Sequence, residues 1–454
     1  MKNSLPISLK PTLPFFLQNE WDSLELAHQS APPTSIRLNP KKPIEEFPNS
    51  EQIPWSQYGR YLAERPSFTF DPLFHAGAYY VQEASSMFLE YAVKQFIDFN
   101  HSQNVLDLCA APGGKSTHIA SLLSEDSLLI SNEIIGSRAT ILNENICKWG
   151  YDNTWVSNAD PSHFKRTTSF FNLMLVDAPC SGSGLFRKIP SYAQDFNLDL
   201  VLHCAQRQKR ILADAWDALA YNGFLVYMTC SMSEAENEQI LDFISNEFDV
   251  ESCKISVPPH FHIFETQSEK SKAYGYRLSP HLLKGEGFFL AIFQKKSTGI
   301  PPIFDIKKKQ KQSSKYYKQF TQKNNRIEIN EHDNYFLIYE NHLRNYEYLK
   351  SKIKLIKKGI HIGKLGSKEM IPSHEIALYE GMDNYNSICN VDKETAILYL
   401  KKENFKVELN KTGWFLMKYQ DLPIGWIKNI GNRINNYYPV NYRILSSKNL
   451  LSNE

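Results

Sequence analysis

The stretch that decides the fold is residues 106–115, whose sequence is LDLCAAPGGK. An apolar strand segment runs into a turn with two glycines, and a helical pattern follows from about Ser116 to Leu123. Glycines let the backbone turn tightly and approach a ligand closely, as in nucleotide-binding βα turns. The stretch has neither the GxGxxG spacing nor the P-loop spacing, so it does not predict a triphosphate site. It suits an adenosyl amino acid, and a plain βα turn without a ligand is the alternative.

Strand-like apolar runs alternate with helical segments between residues 99 and 296, which predicts a parallel α/β sheet. Two of the predicted helices extend from about Arg138 to Trp149 and from Leu198 to Ala220. The segment from Ser233 to Glu236 has the spacing of a capping box and predicts that a further helix begins at about Glu234. The predicted strands are Val105–Leu108, Leu128–Asn132, Thr154–Ser157, Leu173–Val176, Phe224–Thr229 and a late strand at 287–293.

Length, cysteine usage and hydropathy bound the class of protein. A chain of 454 residues exceeds one ordinary core, so two to four domains are expected. Its seven cysteines show neither a metal-ligand spacing nor a disulfide framework, so we expect a reduced, cytoplasmic protein without a metal. No run approaches the ~20 apolar residues of a membrane span, so we expect no membrane partner.

The net charge of +2 hides an asymmetry along the chain. Residues 301–454 hold 26 Lys and Arg against 16 Asp and Glu, a net charge of +10, whereas residues 1–300 have a net charge of −8. An electropositive C-terminal third favours a polyanionic partner such as nucleic acid. A compositional bias toward Lys, Asn, Tyr and Ile is the alternative reason for this excess.

A basic run from Lys307 to Arg326 joins the α/β region to the C-terminal region. It holds eight Lys and Arg and no acidic residue, and Tyr316, Tyr317 and Phe320 lie within it. Basic groups that bind phosphates and aromatic rings that stack on bases suit single-stranded nucleic acid. Taken alone, the run is at least as consistent with a solvated linker.

Acidic residues fall at the ends of three successive predicted strands. Glu133 closes the second strand, where a carboxylate can accept both hydroxyls of a ribose. Asp160 follows the third strand and could hold the exocyclic amine of adenine, and Asp177 ends the fourth strand. Singly, each could be a solvated loop acid or a helix cap. Together with the glycine loop they indicate a ligand site, because open α/β sheets bind ligands at the carboxyl ends of their strands.

Two cysteines follow the last two predicted parallel strands, Cys180 within residues 177–184 (DAPCSGSG) and Cys230 within residues 229–231 (TCS). Carbon 5 of cytosine attacks a methyl cation poorly. A thiolate added at carbon 6 makes carbon 5 nucleophilic; after methyl transfer the carbon 5 proton is removed and the thiol is eliminated. A helix from about Glu234 would favour the Cys230 thiolate, and Asp177 could hydrogen-bond nitrogen 3 and the amine of the base. The other cysteines are interpreted as small, buried hydrophobic residues: Cys109, Cys147, Cys204, Cys253 and Cys389.

Six segments carry a resemblance to a known family. Residues 107–115 (DLCAAPGGK), 177–184 and 229–231 resemble those of the Nol/Nop/Sun RNA cytosine-5 methyltransferases. Within that family, three further segments resemble the bacterial F-type 16S ribosomal RNA enzymes: GAYYVQEASSM (77–87), RLSPH (277–281) and GWIKNIGNRINN (425–436). The resemblance covers residues 30–300 well and residues 300–400 weakly.

The resemblance implies a Rossmann-like class I methyltransferase domain at residues 99–296. An N-terminal RNA-binding domain at residues 1–98 would precede it. A basic linker at residues 297–328 and a C-terminal RNA-binding region at residues 329–454, PUA-like at its end, would follow.

The resemblance also implies roles for individual residues. Cys230 would be the nucleophile and Cys180 would assist product release, although the Pro179-Cys180 pair is a rival nucleophile because DNA cytosine methyltransferases use a Pro-Cys pair. S-adenosylmethionine would be bound by ten residues: Cys109, Ala110, Ala111, Pro112, Gly113, Gly114, Lys115, Glu133, Asp160 and Asp177.

We therefore expect a monomeric, S-adenosylmethionine-dependent enzyme that methylates carbon 5 of cytosine in RNA. The expected partner is 16S ribosomal RNA or the small ribosomal subunit. A non-catalytic RNA-binding assembly factor, and an enzyme that modifies transfer RNA, are the alternatives. The sequence does not identify the nucleotide.

Overall fold

The N-terminal part of the computed structural model carries a small antiparallel sheet in the order β2-β3-β1-β4. The structure describes residues 4–45, 47–302, 304, 316–367 and 369–445. Helices α3 and α4 lead from this sheet toward the central one. The strands are β1 (Thr34–Leu38), β2 (Glu51–Gln52), β3 (Gly59–Leu62) and β4 (Tyr79–Val81), and the helices are α1 (Phe15–Asn19), α2 (Trp21–Gln29), α3 (Pro72–Ala76) and α4 (Phe88–Val93).

The centre of the molecule is a ten-stranded sheet whose middle strands are parallel. Its first half consists of β5 (Asn104–Asp107), α5 (Gly114–Ala120), β6 (Leu128–Asn132), α6 (Gly136–Trp149), β7 (Thr154–Ser157) and β8 (Phe171–Asp177). Its second half consists of α7 (Leu198–Ala215), β9 (Leu219–Thr229), α8 (Glu238–Glu247), β10 (Val250–Ser252), β11 (Phe264–Gln267), β12 (Tyr274–Leu278) and β13 (Phe288–Lys295).

The parallel strands run in the order β7-β6-β5-β8-β9, and β13 continues the sheet antiparallel to β9. Every residue of β6 and β7 is buried, as expected for strands covered on both faces by helices. The two apolar cores on opposite faces of the sheet are held by residues such as Leu106 and Val176 on one side and Val105 and Leu175 on the other. The predicted strands and the α/β fold are therefore confirmed.

The C-terminal part forms two further four-stranded sheets. The first contains β14 (Arg326–Glu331), β15 (Asn334–Tyr339), β17 (Ile360–Leu365) and β18 (Met370–Pro372), with α9 (Leu343–Leu349) before β17 and α10 (His374–Leu378) after β18. The second contains β19 (Ile388–Asn390), β20 (Gly413–Tyr419), β21 (Leu422–Asn429) and β22 (Ile434–Asn436), with α11 (Lys393–Lys401) after β19. Strand β16 (Leu355–Lys357) leaves this part and pairs antiparallel with β7, at the edge of the central sheet.

The C-terminal part packs directly onto the methyltransferase-like sheet. Arg326 forms a buried ion pair with Asp152, and the Tyr379 hydroxyl donates to the same carboxylate over 3.0 Å. Apolar residues of both parts share one core, among them Ile338 and Leu349. Within the described residues, no helix is long and apolar enough to cross a membrane.

The basic run is described only from Tyr316 onward, because residues 305–315 lie outside the described part. In that portion Tyr317 and Phe320 are buried in the core beneath β15 and β17, so these two rings are not available to stack on bases. Lys323 is paired with Glu125 and Glu380, each over 3.2 Å. The interpretation of Tyr317 and Phe320 as stacking residues is therefore wrong, because tertiary packing uses their apolar area.

Candidate active site

A cavity of about 980 Å³ lies at the carboxyl ends of β5, β6, β8 and β9. This edge is where open α/β sheets bind ligands, since the strand order reverses between neighbouring crossovers there. The cavity is lined by the glycine loop, by Asn132 and Glu133 after β6, and by both cysteine loops. Ten of the twelve residues predicted for the site line the cavity, and Gly113 and Asp160 do not: the ten are Cys109, Ala110, Ala111, Pro112, Gly114, Lys115, Glu133, Asp177, Cys180 and Cys230.

The glycine loop forms one wall of the cavity and is tied down from outside. Arg138 donates to the Ala111 carbonyl over 2.8 Å, and Asn145 donates to the Pro112 carbonyl over 2.8 Å. Gly113 has a φ of 116° and precedes α5, a conformation that a residue with a Cβ rarely adopts. The backbone is therefore free to approach a ligand closely, which fits the adenosyl amino acid expected from the sequence.

Glu133 supplies a carboxylate at the end of β6. Its side chain is 4% exposed, its Oε1 accepts from the Ile135 amide over 2.9 Å, and Arg138 lies 3.4 Å from its Oε2. A carboxylate has about four lone-pair sites, so acceptor capacity remains for ribose hydroxyls. The acceptor oxygens of Glu133 fit the ribose hydroxyls of S-adenosylmethionine.

Asp160 occupies a different kind of position. Its carboxylate caps a 3₁₀ helix (Pro161–Arg166) by accepting from both the amide and the hydroxyl of Ser162. These hydrogen bonds lower the pKa of Asp160. Pro161, not Asp160, lines the cavity, so contact of Asp160 with a ligand stays a prediction.

Asp107 is a cavity-lining acid that the sequence reasoning did not single out. It ends β5, is fully buried, and accepts from the Ser116 hydroxyl over 2.6 Å, while its Oδ1 has no hydrogen-bond partner among the residues that the structure describes. Burial is the main cause that raises its pKa to about 7. Its position one strand away from Asp177, at the same sheet edge, was the signal that could have indicated it.

Asp177 and Lys115 form an ion pair inside the cavity, with 2.6 Å between Oδ2 and Nζ. Burial opposes the charge on Lys115, but Asp177 outweighs it and the pKa of Lys115 is raised. Cys230 acts in the same direction on Lys115, so the ammonium group and the Cys230 sulfur interact electrostatically. The pair can present both a hydrogen-bond acceptor and a positive charge to a bound base.

The two thiols predicted to share the site are brought together. Their Sγ atoms are 3.1 Å apart, and the Gly184 amide donates to the Cys230 carbonyl over 2.8 Å. Hydrogen bonding to Cys230, followed by burial, raises the pKa of the Cys180 thiol well above its ordinary value. The arrangement therefore pairs a protonated thiol with a neighbouring sulfur that can act as a nucleophile.

The helix predicted to begin at about Glu234 begins instead at Glu238, with Asn237 before it. The capping-box interpretation is wrong because the Glu236 carboxylate is used elsewhere: it is fully buried and accepts from the hydroxyls of Ser181 and Ser231. The Asn237 side chain instead accepts from the Thr229 hydroxyl over 2.6 Å. Glu236 is a second site residue that sequence reasoning missed.

The remaining cysteines lie where small hydrophobic residues are expected or at partly exposed positions. Cys147, Cys204 and Cys389 are buried, and Cys253 and Cys109 are partly exposed. Of these five, Cys109 alone lines the cavity. In the part of the chain that the structure describes, no group of His, Cys, Asp and Glu is arranged to hold a metal ion.

Three family models match the chain with this geometry. The model described as 16S rRNA methyltransferase RsmB/F matches residues 94–294. The N-terminal domain of 16S rRNA methyltransferase RsmF matches residues 5–84, and the methyltransferase RsmF PUA domain matches residues 387–444. The three models together match most of the chain, which is similar to the RsmB/F methyltransferase family in its N-terminal, central and C-terminal parts. S-adenosylmethionine is the methyl donor of that family, and the predicted fold class, with its PUA-like end, is confirmed.

Individual relatives agree with that similarity. The chain is 28% identical over 418 residues to the ribosomal RNA small subunit methyltransferase F of Vibrio vulnificus strain YJ016, which covers 88% of this chain and 86% of the relative. It is 29% identical over 451 residues to the protein of the same name from Vibrio atlanticus, which covers 92% of each chain. The similarity therefore extends over all three matched parts.

Solved structures share the fold over about two thirds of this chain. A methyltransferase homologue from Pyrococcus horikoshii is 26% identical, with a TM-score of 0.53 over 63% of this chain and 93% of that one. NSun6 from Pyrococcus horikoshii, solved with the S-adenosylmethionine analogue SFG, is 18% identical, with a TM-score of 0.53 over 65% of this chain and all of that one. The second likeness concerns the fold alone.

Proposed function

We propose that this chain methylates carbon 5 of cytosine in 16S ribosomal RNA through a covalent bond between Cys230 and carbon 6 of the base. The observation that carries the proposal is the pair of thiols 3.1 Å apart in the cavity that the glycine loop also lines. Methylation of a nitrogen or oxygen atom needs no sulfur nucleophile, because those atoms carry their own lone pairs. Two thiols in a methyltransferase cavity therefore favour a ring carbon as the target.

The residues around the cavity have different roles in the proposed reaction. The wall formed by residues 109–115 and Glu133 would hold S-adenosylmethionine, and Asp160 is proposed to contact its adenine. When bound, S-adenosylmethionine supplies an electrophilic methyl group. The protein must place carbon 5 of the base within reach of that group and exclude water, because a near-attack geometry lowers the entropic part of the barrier.

Cys230 would attack carbon 6 as the thiolate, which gives carbon 5 the electron pair that the methyl group accepts. Lys115 lies near that sulfur and would favour its negative charge. Asp177 would hydrogen-bond nitrogen 3 and the exocyclic amine of cytosine. Removal of the carbon 5 proton then returns the electron pair to the ring and expels the Cys230 thiolate, and Cys180 would assist this breakdown.

The ribosomal RNA target is proposed from charge and from the relatives. The C-terminal third has a net charge of +10, and a PUA domain matches residues 387–444 within it. The relatives with 28–29% identity over most of their length carry names that specify the small-subunit RNA. A 16S ribosomal RNA substrate would place the protein in the bacterial cytoplasm. The target cytosine must be unpaired or flipped from its stack to enter the cavity.

The test uses the full-length protein, methyl-labelled S-adenosylmethionine and three substrates: naked 16S ribosomal RNA, assembled 30S subunits and transfer RNA. We expect label on one cytosine of the ribosomal RNA, located by bisulfite sequencing. Label on transfer RNA alone would support the transfer RNA alternative, and RNA binding without label would support a non-catalytic assembly factor. Label on another base, or on a cytosine nitrogen, would refute the proposal.

The thiol roles are tested with single variants in the same assay. Cys230→Ser should abolish methyl transfer while S-adenosylmethionine still binds, and Cys180→Ser should accumulate an RNA–protein adduct that survives denaturing electrophoresis. Cys253→Ser is the matched control, because Cys253 is partly exposed and lies outside the cavity. An adduct that forms in Cys230→Ser but not in Cys180→Ser would make Cys180 the nucleophile.

A further inference from the structure

Glu236 connects the two loops that carry the thiols. Its Oε1 accepts from the Ser181 amide over 2.8 Å, and its Oε2 accepts from the hydroxyls of Ser181 and Ser231 over 2.6 Å each. Ser181 directly follows Cys180, and Ser231 directly follows Cys230. One carboxylate therefore fixes the residue next to each thiol.

The surroundings of this carboxylate are polar but carry no balancing positive charge. Gln208 donates to Glu236 Oε1 over 3.3 Å and to the Pro179 carbonyl over 3.1 Å, and the Tyr227 hydroxyl donates to the Glu236 backbone carbonyl over 2.6 Å. Among the described residues, none forms an ion pair with Glu236. Hydrogen bonds to neutral donors stabilise a buried carboxylate without cancelling its field.

The two thiols consequently experience different fields. The hydrogen bond to Cys230 and burial are the main causes that disfavour negative charge on Cys180, and the charges of Cys230 and Glu236 act in the same direction. The charged groups on the side of Cys230 are Lys115, which acts on the Cys230 sulfur, and its ion-pair partner Asp177. Asp107 lies behind them. In a low-dielectric cavity such fields act strongly over a few ångströms.

We infer that Glu236 is a positioning residue that favours Cys230 over Cys180 as the nucleophile: it holds both cysteine loops, and both of its carboxylate oxygens accept from Ser181, next to Cys180, whereas one accepts from Ser231. The inference deepens the proposed function and rests on it for its catalytic meaning. It gives a physical reason why the Pro179-Cys180 pair is not the nucleophile here. A structural role alone would need the hydrogen bonds of Glu236 but not its charge.

Two hydrogen bonds that do not involve Glu236 also join the cysteine loops. The Gly184 amide donates to the Cys230 carbonyl, and the Met232 amide donates to the Ser183 hydroxyl, each over 2.8 Å. Glu236→Gln keeps the shape of the side chain and removes the charge. Glu236→Asp keeps the charge and shortens the side chain. The pair of variants therefore separates charge from packing.

The experiment measures alkylation of the full-length protein by limiting iodoacetamide between pH 6 and pH 9, with each thiol quantified by peptide mass spectrometry. In the wild type, Cys230 should react faster than Cys180 at pH 7. Glu236→Gln should lower the Cys230-to-Cys180 ratio about tenfold, the effect of one pKa unit on a thiolate fraction. Glu236→Asp should keep the wild-type preference. Glu234→Gln, the control, removes the charge of a nearby acid that does not line the cavity, and it should leave the ratio within about twofold.

The outcomes are decisive without RNA. An unchanged ratio in Glu236→Gln, or an equal loss of preference in Glu236→Asp and Glu236→Gln, would overturn the inference. If Glu236→Gln fails to fold, the wild-type profile decides, because Cys180 reacting as fast as Cys230 at pH 7 would also overturn it. Failure of the proposed function is a separate result, since it shows only as absent or misplaced methyl label.

Discussion

The buried ion pair between Arg326 and Asp152 gives the most direct test of how the C-terminal part is held. The Arg326 side chain is fully buried, the Asp152 side chain is 5% exposed, and the two connect the start of β14 to the turn before β7. Asp152 also accepts from the Tyr379 hydroxyl over 3.0 Å. Arg326→Met keeps the length of the side chain and leaves the Asp152 carboxylate buried without its main cation.

The expected cost is about 3 kcal/mol in the free energy of unfolding, because breaking a buried pair from one side costs roughly 3–5 kcal/mol. We choose the lower end since Tyr379 and Lys323 still act on Asp152. Lys284→Met is the control: its pair with Glu51 is 2.6 Å long, but its side chains are 51% and 65% exposed. Exposed pairs contribute about 0–1 kcal/mol, so this variant should stay near the wild type.

The stability that the Arg326–Asp152 pair contributes should depend on pH. Burial raises the pKa of Asp152, but Arg326 outweighs it, and the net pKa is lowered. A lowered carboxyl pKa stabilises the folded state above the unfolded value of about 3.9, and that stability is lost as the pH falls through the folded value. A protonated Asp152 needs no cation, so the difference between Arg326→Met and the wild type should shrink as the pH falls below about 4.

Urea unfolding followed by tryptophan fluorescence at pH 7.5, and at steps down to pH 3, measures the difference directly. A loss below 1 kcal/mol at pH 7.5 would refute the reasoning. So would a loss of the predicted size that stays constant with pH, because it would then come from packing rather than from the uncompensated charge.

Three further predictions concern the site and the acid stability. A Cβ on Gly184 would lie 2.1 Å from the Cys230 carbonyl oxygen, so Gly184→Ala should slow adduct formation about a hundredfold. Gly136→Ala is the control and should not slow it, because a Cβ at Gly136 would have nothing within 4 Å. Equal rates of the two variants in single-turnover assays would contradict this. Lys115→Met should lower kcat/KM about a hundredfold by removing the cation near Cys230, and an unchanged single-turnover rate would argue against that role. Burial lowers the pKa of His75 and His342 to about 4, so unfolding takes up protons between that value and about 6.5. The thermal midpoint should therefore fall as the pH drops from about 6.5 toward 4. A thermal midpoint that does not change with pH over this range would contradict the prediction.

The elements that the sequence predicted well are those whose pattern is local. Strands Leu128–Asn132 and Thr154–Ser157 have the predicted bounds, because continuous apolar runs flanked by polar turns specify buried parallel strands. The glycine loop and the acids at strand ends follow from the same alternation, since the topology sends all carboxyl ends to one edge. The convergence of Cys180 and Cys230 follows because their strands, β8 and β9, are neighbours.

The features that the sequence did not predict depend on contacts between distant residues. The spacing from Ser233 to Glu236 satisfies a capping box, but Ser181, more than fifty positions earlier, provides the donors that the Glu236 carboxylate uses instead. Tyr317 and Phe320 lie in a polar, basic run, and only the fold of the later strands shows that they are core residues. No local pattern could have placed β16 beside β7, because the two strands are about 200 residues apart in the chain.

The pairing of β16 with β7 has a consequence for anyone who wishes to shorten this protein. An unpaired outer strand exposes a row of backbone donors and acceptors that invites association with other chains. A fragment ending near residue 300 would uncover β7 in this way, together with apolar side chains that Ile338 and Leu349 now cover. The catalytic sheet is thus completed by the region that follows it, and a minimal catalytic fragment should be cut beyond residue 357 rather than at the end of the α/β part.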